Sequence, residues 1–318
     1  MIQIKHDIEN TLPATVGSDG VTVVGRTHQG MVRAQNEDTF GAFMSLGLFV
    51  VCDGMGGHAG GDIASDLALR TVFHSVFESN LALGEAKKPS LRFQQNSLQG
   101  AIHRAHHAIR EQVQREPRLE GMGTTFAAIQ VNPGGMILSH VGDSRIYRWS
   151  ARRGLVQMTR DHSLVNQLKE RGRLKPDDAD RMKNVIVNAV GVTACRPETT
   201  VVQRHEGDVY LLCSDGLTDL VPNEIIQDIV ERNHESLERA AQELVAAANQ
   251  AGGHDNVTVL LVRDDIGSEV PAPLRSVPFI SGRGSTPRGT TTQQGWLRAT
   301  IQTLSGWRSR PEAERATA

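Results

Sequence analysis

The stretch LFVVCDGMGGHAGGDIASDLALR, residues 48–70, runs from an apolar segment through an aspartate into a cluster of glycines, and then into a helical pattern. Gly54, Gly56 and Ala59 fit the spacing G-x-G-x-x-A between a strand and a helix, the pattern of a dinucleotide-binding loop. Asp53 argues against that reading, because it would set a negative charge beside a pyrophosphate. The acid-tipped second strand expected about 20 residues further on does not follow either. Asp62 to Ser79 keep helical spacing, with Ile63, Leu67, Phe73 and Phe77 recurring mostly at four. No Lys-Ser or Lys-Thr follows the glycines, which excludes a P-loop. The carboxylate of Asp53 therefore needs another use.

The chain has 318 residues, 39% apolar and 22% charged, enough for one large domain or two small ones with a sizeable core. Its net charge is −2 but unevenly spread. From Ile266 onward there are seven Arg against three Glu, which leaves −6 for residues 1–265. An acidic body suits bound cations better than a phosphate backbone, so nucleic acid is not an expected partner. The opening residues MIQIKHDIENTLPATVG lack the basic start and apolar run of a secretory signal. No 18-residue apolar stretch occurs, so no transmembrane segment is expected and the reading is cytoplasmic. Three cysteines without paired spacing agree, Cys52 and Cys213 reading as inert buried thiols.

From Val21 to Val262 short strand-like runs alternate with helical patches. GLFVVC, TTFAAIQV, GMILSHVG, SRIYRW, TTVVQR, DVYLLC and NVTVLLV read as strands, and Asn132-Pro133-Gly134-Gly135 as a hairpin turn. Helices are expected over 62–79, 91–115, 163–171, 223–232 and 235–250, the second with Leu98, Ile102, Ala105, Ile109 and Val113 on one stripe. A strand meander with paired helices favours α+β with antiparallel sheets. The division is an N-terminal extension over 1–20, a catalytic domain over 21–265 and a disordered basic tail over 266–318. Residues 173–190 read as a mobile flap. Within the tail, Leu297, Ile301 and Leu304 take helical spacing between Trp296 and Trp307, a segment suited to docking a partner or folding back on its own domain.

The arrangement at Asp53 recurs. Asp215 and Asp143 each end an apolar run, and Asp255 stands just before one begins. A strand end emerges at the rim of a core, so four rigidly held carboxylates could meet there. Like charges a few Å apart raise one another's pKa unless cations neutralise them. An oxygen-only donor set without a cysteine cluster points to Mg²⁺ or Mn²⁺ rather than Zn²⁺. Glu37 and Asp38 supply further acids, and Arg33, four residues before Glu37, offers a guanidinium fork for a phosphate. These are the parts of a two-metal phosphoester hydrolase whose nucleophile is water. His103, His106 and His107 have the spacing of helix-borne ligands, but His103 and His107 lie off the apolar stripe, which favours a solvated helix face over a metal site.

Seven motifs in order, GMVRAQNED, VVCDGMGGHAGGDIAS, GMGTTFAAIQV, SHVGDSRIYRW, MTRDHSLV, LLCSDGLTDLV and GGHDNVTVLLV, make residues 21–263 resemble a bacterial metal-dependent protein serine/threonine phosphatase of the type 2C (PPM) family. The resemblance implies a four-layer αββα sandwich, two central antiparallel sheets flanked by pairs of antiparallel helices. It implies two Mn²⁺ or Mg²⁺ ions, with a third at Asp143. Asp53 would bridge the pair, Asp215 and Asp255 would complete one shell, and Glu37 with the Gly54 carbonyl would serve the other, supported by Asp38. Arg33 matches the phosphate-binding arginine, and Thr124 and Thr125 match threonines beneath the site. Phosphoproteins would be substrates, a Ser/Thr protein kinase the opposing partner, and the chain a monomer.

Two positions depart from the pattern. Met55 stands where some relatives carry a histidine proposed to protonate the leaving alcohol, and a thioether cannot donate a proton. His58 and cation-held water are the alternatives. Val187 and Asn188 replace a Thr-Arg pair in the flap, which implies altered substrate preference. The same departures sustain a second reading, a catalytically weak relative that serves as a binding or sensing module. Deleting residues 266–318 is expected to leave turnover of a small phosphate ester near normal while changing activity on a natural phosphoprotein. A collapse of small-ester turnover would show that the tail belongs to the fold.

Overall fold

The computed structural model describes residues 9–17, 20–56, 60–84, 89–175, 182, 185–192 and 195–266. Twelve strands among them form two antiparallel sheets. The first sheet contains β1 (Glu9–Gly17), β2 (Val21–His28), β8 (Arg145–Ser150), β9 (Gly154–Gln157), β11 (Val209–Cys213) and β12 (Val257–Asp264). Its order is β1-β2-β12-β11-β8-β9. The second contains β3 (Asp38–Phe43), β4 (Leu48–Met55), β6 (Phe126–Asn132), β7 (Gly135–Val141) and β10 (Glu198–Val202), in the order β10-β7-β6-β4-β3. The short β5 (Gly123–Thr124) pairs with the end of β4.

The central strands are buried on both faces, and alternation sorts their side chains. On β4, Phe49 and Val51 enter the layer between the sheets, with Phe40, Ile129, Tyr210, Leu212 and Leu260. Leu48, Val50 and Cys52 point the other way, onto helices α1 (Gly60–Leu83) and α2 (Leu91–Arg115). On the far side, Leu211, Cys213, Val259 and Leu261 pack against α5 (Asn223–Arg232) and α6 (Leu237–Gln250). The result is an α+β, four-layer αββα sandwich. At about 1.5–3 kcal/mol for each large apolar side chain buried, these three cores dominate the favourable side of folding.

Local chemistry sets the helix ends. The Ser90 hydroxyl accepts the Phe93 N–H at 3.3 Å to start α2, and Ser163 does the same for Asn166 at the start of α3 (Leu164–Glu170). The expected stripe of α2 is the face that packs, with Leu98, Ile102, Ala105 and Ile109 fully buried and Val113 partly so. The expected hairpin is also present, with Asn132 opposite Gly135 and the Gly134 N–H on the Asn132 side-chain oxygen at 2.9 Å.

Three expectations need correction. The sheet starts at Glu9, ahead of the boundary drawn at residue 21, because β1 pairs along β2 and buries Leu12. Pro13 obscured this strand. Proline is tolerated on a sheet edge, and the register shifts between Leu12 and Thr15 beside it. Strands β2, β3 and β9 were also missed. Gly25 breaks the apolar run that would mark β2, and is there because a Cβ would collide with the Phe40 ring; β9 has only four residues. The end of the expected flap is anchored: Leu164 N donates to Val185 O, Val187 N to His162 O, and Val190 exchanges two bonds with Thr124. Residues 176–181 and 183–184 of that stretch, His58 and the tail helix lie outside the described residues.

Candidate metal centre

Every acid singled out in the sequence lies at one rim of the two sheets. Asp53 is near the end of β4 and directly opposite Asp38, the first residue of β3. Asp143 sits in the turn between β7 and β8, Asp215 opens the one-turn helix α4 (Asp215–Thr218) after β11, and Asp255 immediately precedes Asn256 and β12. Asp38 and Asp143 are buried, whereas Glu37, Asp53, Asp215 and Asp255 are partly exposed. The Asp53 and Asp215 side chains are in hydrogen-bond contact, and Asp53 feels the charges of Asp38, Asp215, Asp143 and Asp255.

The framework that gathers them is backbone and hydroxyl. Thr125 Oγ1 accepts the Asp53 N–H at 2.9 Å, Thr125 N donates to Asp53 O at 2.8 Å, and Thr124 Oγ1 donates to the same carbonyl at 2.8 Å. Both threonines thus hold Asp53 without reaching the chemistry. Asp38 Oδ2 accepts from Ser214 Oγ at 2.7 Å and from Thr258 Oγ1 at 2.6 Å. With its proton spent on Asp38, Thr258 Oγ1 accepts from Thr27 Oγ1, which itself accepts from Asn36 Nδ2, so the chain of donors runs one way toward the carboxylate. Asn256 ties the acidic loop down: its Oδ1 accepts the Glu37 N–H, and its Nδ2 donates to the Gln29 and Gln35 carbonyls, each at 2.8 Å.

The glycine after each of two aspartates has a reason the sequence only half shows. What approaches Gly54 and Gly216 closely is other backbone. A Cβ on Gly54 would collide with the Gly61 carbonyl at the start of α1, and one on Gly216 with the Asn256 carbonyl. The first contact brings the α1 N-terminus to Glu37, whose carboxylate accepts the Gly61 N–H. The second draws Asp255 against Asp215.

Burial and mutual repulsion raise these carboxyls. Desolvation, followed by neighbouring aspartates, lifts Asp53 well above its ordinary value. Desolvation also leads for Asp215, at about 6, and for Asp143, at about 8. Asp38 reaches about 7, desolvation outweighing its two hydroxyl donors. Two unit charges about 4 Å apart repel by about 4 kcal/mol at an effective dielectric constant of 20. A few such pairs consume the whole net stability of a domain, about 5–15 kcal/mol. The donor set is all oxygen, and the buried Oδ1 atoms of Asp38 and Asp143 have no hydrogen-bond partner. Residues of this kind fit hard divalent cations such as Mg²⁺ or Mn²⁺. Arg33 supplies the local positive charge, its Nη2 on Asp255 Oδ2 at 2.6 Å with the side chain half exposed.

Two histidine groups prove structural. His106 is not on a solvated face: it is buried, and its Nδ1 accepts the Gly191 N–H at 2.9 Å, while His103 and His107 are exposed. His140, His162 and Glu198 also cluster within metal-binding range. The Gly142 N–H donates to His162 Nδ1 at 3.1 Å, which puts the proton on Nε2, facing Glu198 Oε1 at 3.2 Å. That is a hydrogen bond in place of a lone pair for a metal. Asn188, expected near the substrate, turns inward. Its amide clasps both Arg196 N–H and Arg196 C=O and reaches His162 Nδ1 at 3.0 Å. Sequence spacing gave no sign of this clasp.

The family model Protein phosphatase 2C matches residues 26–257, which include Arg33 and all six acids. The chain belongs to the protein phosphatase 2C family. It is 36% identical over 247 residues to the serine/threonine phosphatase stp of Listeria monocytogenes serotype 4b (strain F2365), covering 76% of this chain and 95% of that protein. Against the serine/threonine protein phosphatase PstP of Mycobacterium tuberculosis (strain H37Rv) it is 36% identical over 239 residues, 74% of this chain and 43% of that one. The crystal structure of the PstP catalytic domain in complex with two manganese ions superposes with a TM-score of 0.66 at 35% identity, covering 76% of this chain and 97% of that domain. Like these relatives, this phosphatase 2C is an enzyme of the phosphoric ester hydrolase class. No helix among its described residues is long and apolar enough to cross a membrane.

Two outcomes follow from the geometry. The raised carboxyls bind more protons folded than unfolded, where an aspartate titrates near 3.9. With divalent cations chelated, stability is therefore greatest at low pH and falls as pH rises through about 6 to about 8. Thermal melting in chelator is expected to give a higher Tm at about pH 5 than at about pH 8.5, and saturating Mn²⁺ to remove the difference. The opposite slope would refute the clustering. Gly216→Ala is expected to cost about 3 kcal/mol and to weaken Mn²⁺ binding in calorimetric titration, because the Asn256 carbonyl must retreat and take Asp255 with it.

Proposed function

We propose that the chain hydrolyses phosphoserine and phosphothreonine on proteins with the help of Mn²⁺ or Mg²⁺, and that it opposes a bacterial Ser/Thr protein kinase. The observation that carries this reading is the convergence of Glu37, Asp38, Asp53, Asp143, Asp215 and Asp255 with Arg33 at a single rim. When bound, the cations would supply the positive charge that makes a water beside them acidic enough to attack phosphorus. Asp53 would be shared by the two ions, Asp215 and Asp255 would complete the hold on one, and Glu37 with the Gly54 carbonyl would serve the other. Asp38 orients that set from below, and Asp143 would hold a third ion.

Arg33 binds the phosphoryl oxygens. One guanidinium nitrogen, Nη2, already meets Asp255, and the planar fork of the group matches the oxygens of a phosphate monoester. Water is the attacking group because the nearby serines are otherwise committed. Ser214 Oγ donates to Asp38 and accepts the Thr258 N–H, and Ser144 Oγ bonds Thr125 Oγ1. Neither hydroxyl has a histidine among its partners, so neither is activated as a nucleophile. Met55 offers no proton, so the departing alcohol takes one from water held at the site or from His58.

Turnover of a phosphothreonine peptide is expected to require Mn²⁺ or Mg²⁺, to stop on chelation, and to fall by about 10³-fold or more in Asp215→Asn. Metal-independent turnover would end the two-cation reading. A protein that binds the peptide without hydrolysing it would stand instead as a binding module.

A further inference from the structure

Single exposed apolar residues are ordinary on protein surfaces, whereas adjoining ones call for a reason. Among the described residues Met31 and Val32 are 67% and 65% exposed, and they are the one pair of large exposed apolar side chains that are neighbours in sequence. They directly precede Arg33. Their loop is not free to fold them away, because Met31 N donates to Gly253 O at 2.7 Å and Gln29 Nε2 to Arg33 O at 2.6 Å. The Asn256 amide fixes both ends of the same loop through Gln29 and Gln35. The fold thus holds two apolar side chains in water beside its phosphate-directed arginine.

A second apolar pair stands on the Asp53 side. Met55 lies two residues beyond Asp53 on β4, and Val192 is 47% exposed. Both reach the same spot over Gly123, where an added Cβ would collide with Val192 Cγ2 and lie 3.4 Å from Met55 Cε. Exposed apolar groups therefore adjoin Arg33 along the chain and stand at the end of the strand that carries Asp53, the two residues between which a phosphoryl group would sit.

We propose that Met31, Val32, Met55 and Val192 form an apolar rim that receives the side chains flanking the phosphorylated residue, so that the enzyme selects phosphoserine or phosphothreonine in an apolar sequence context. This rests on the phosphatase reading above. The occupant is the substrate polypeptide itself. Its phosphate is anchored at Arg33, and an extended chain advances about 3.3 Å per residue, so residues one or two positions away must pass over the rim. Apolar flanks gain by covering it. Polar flanks leave it wet and gain nothing.

The test compares two phosphothreonine peptides that differ only in their flanking residues, leucine or serine, together with a small aryl phosphate, all with Mn²⁺ and the full chain. The leucine peptide is expected to have a kcat/KM about tenfold higher, as for other apolar pockets, with the difference carried by KM. The double variant Met31→Ser/Val32→Ser should bring the two peptides within about twofold of each other, and Met31→Leu/Val32→Ile should restore the preference. Equal treatment of both peptides by the wild-type enzyme, or a preference that survives in the serine variant, would overturn the rim alone. Failure to hydrolyse any of the three esters would overturn the phosphatase reading and the rim with it.

Discussion

Mutual repulsion among carboxylates is the constraint that the rest of this structure answers. Six acids from segments as far apart as residues 37 and 255 are brought to one rim, where desolvation and one another's charge raise the carboxyls of Asp38, Asp53, Asp143 and Asp215. Left to themselves they would move apart. Strand ends prevent this, because each aspartate is continuous with, or directly adjoins, a strand hydrogen-bonded into one of the two sheets and packed against buried layers. Folding stability is thus used to hold a site that is itself destabilising, the usual relation between a rigid scaffold and a functional centre.

The means of holding are mostly main-chain. Gly54 and Gly216 let other backbone come closer than any side chain would allow, and those approaches set Glu37 at a helix N-terminus and Asp255 beside Asp215. Thr124, Thr125 and Asn256 then satisfy the carbonyls and N–H groups that the turns expose. Buried polar groups left unpaired would each cost about 1–3 kcal/mol, so this second layer decides whether the acids keep their positions. The buried Oδ1 atoms of Asp38 and Asp143, which belong to the acid set itself, have no hydrogen-bond partner.

Around this centre the structure moves several groups from apparent function to support. His106 anchors Gly191, His162 holds the Gly142 turn, and Asn188 clasps Arg196. His106 and Asn188, from α2 and from the end of the expected flap, thereby brace residues 188–196. The apolar rim has the reverse history. Met31 and Val32 carry no signal in the sequence beyond standing before Arg33, and only their exposure on a pinned loop distinguishes them.

What the sequence by itself determined were the features written in local order: the span of α2 from its apolar stripe, the hairpin at Asn132–Gly135, the Asp-Gly punctuation of strand ends, and seven motifs whose succession named a family. These depend on near neighbours, and near neighbours are what a sequence displays. Tertiary structure alone decided the pairing of Asp38 with Asp53, the entry of β1 and the glycine-broken β2 into a sheet, and which histidines are supports. Those outcomes depend on close approach between residues as far apart as Val21 and Asp264. Composition at either end of such a contact does not reveal it, because the forces involved, excluded volume and hydrogen bonding, act only over a few Å.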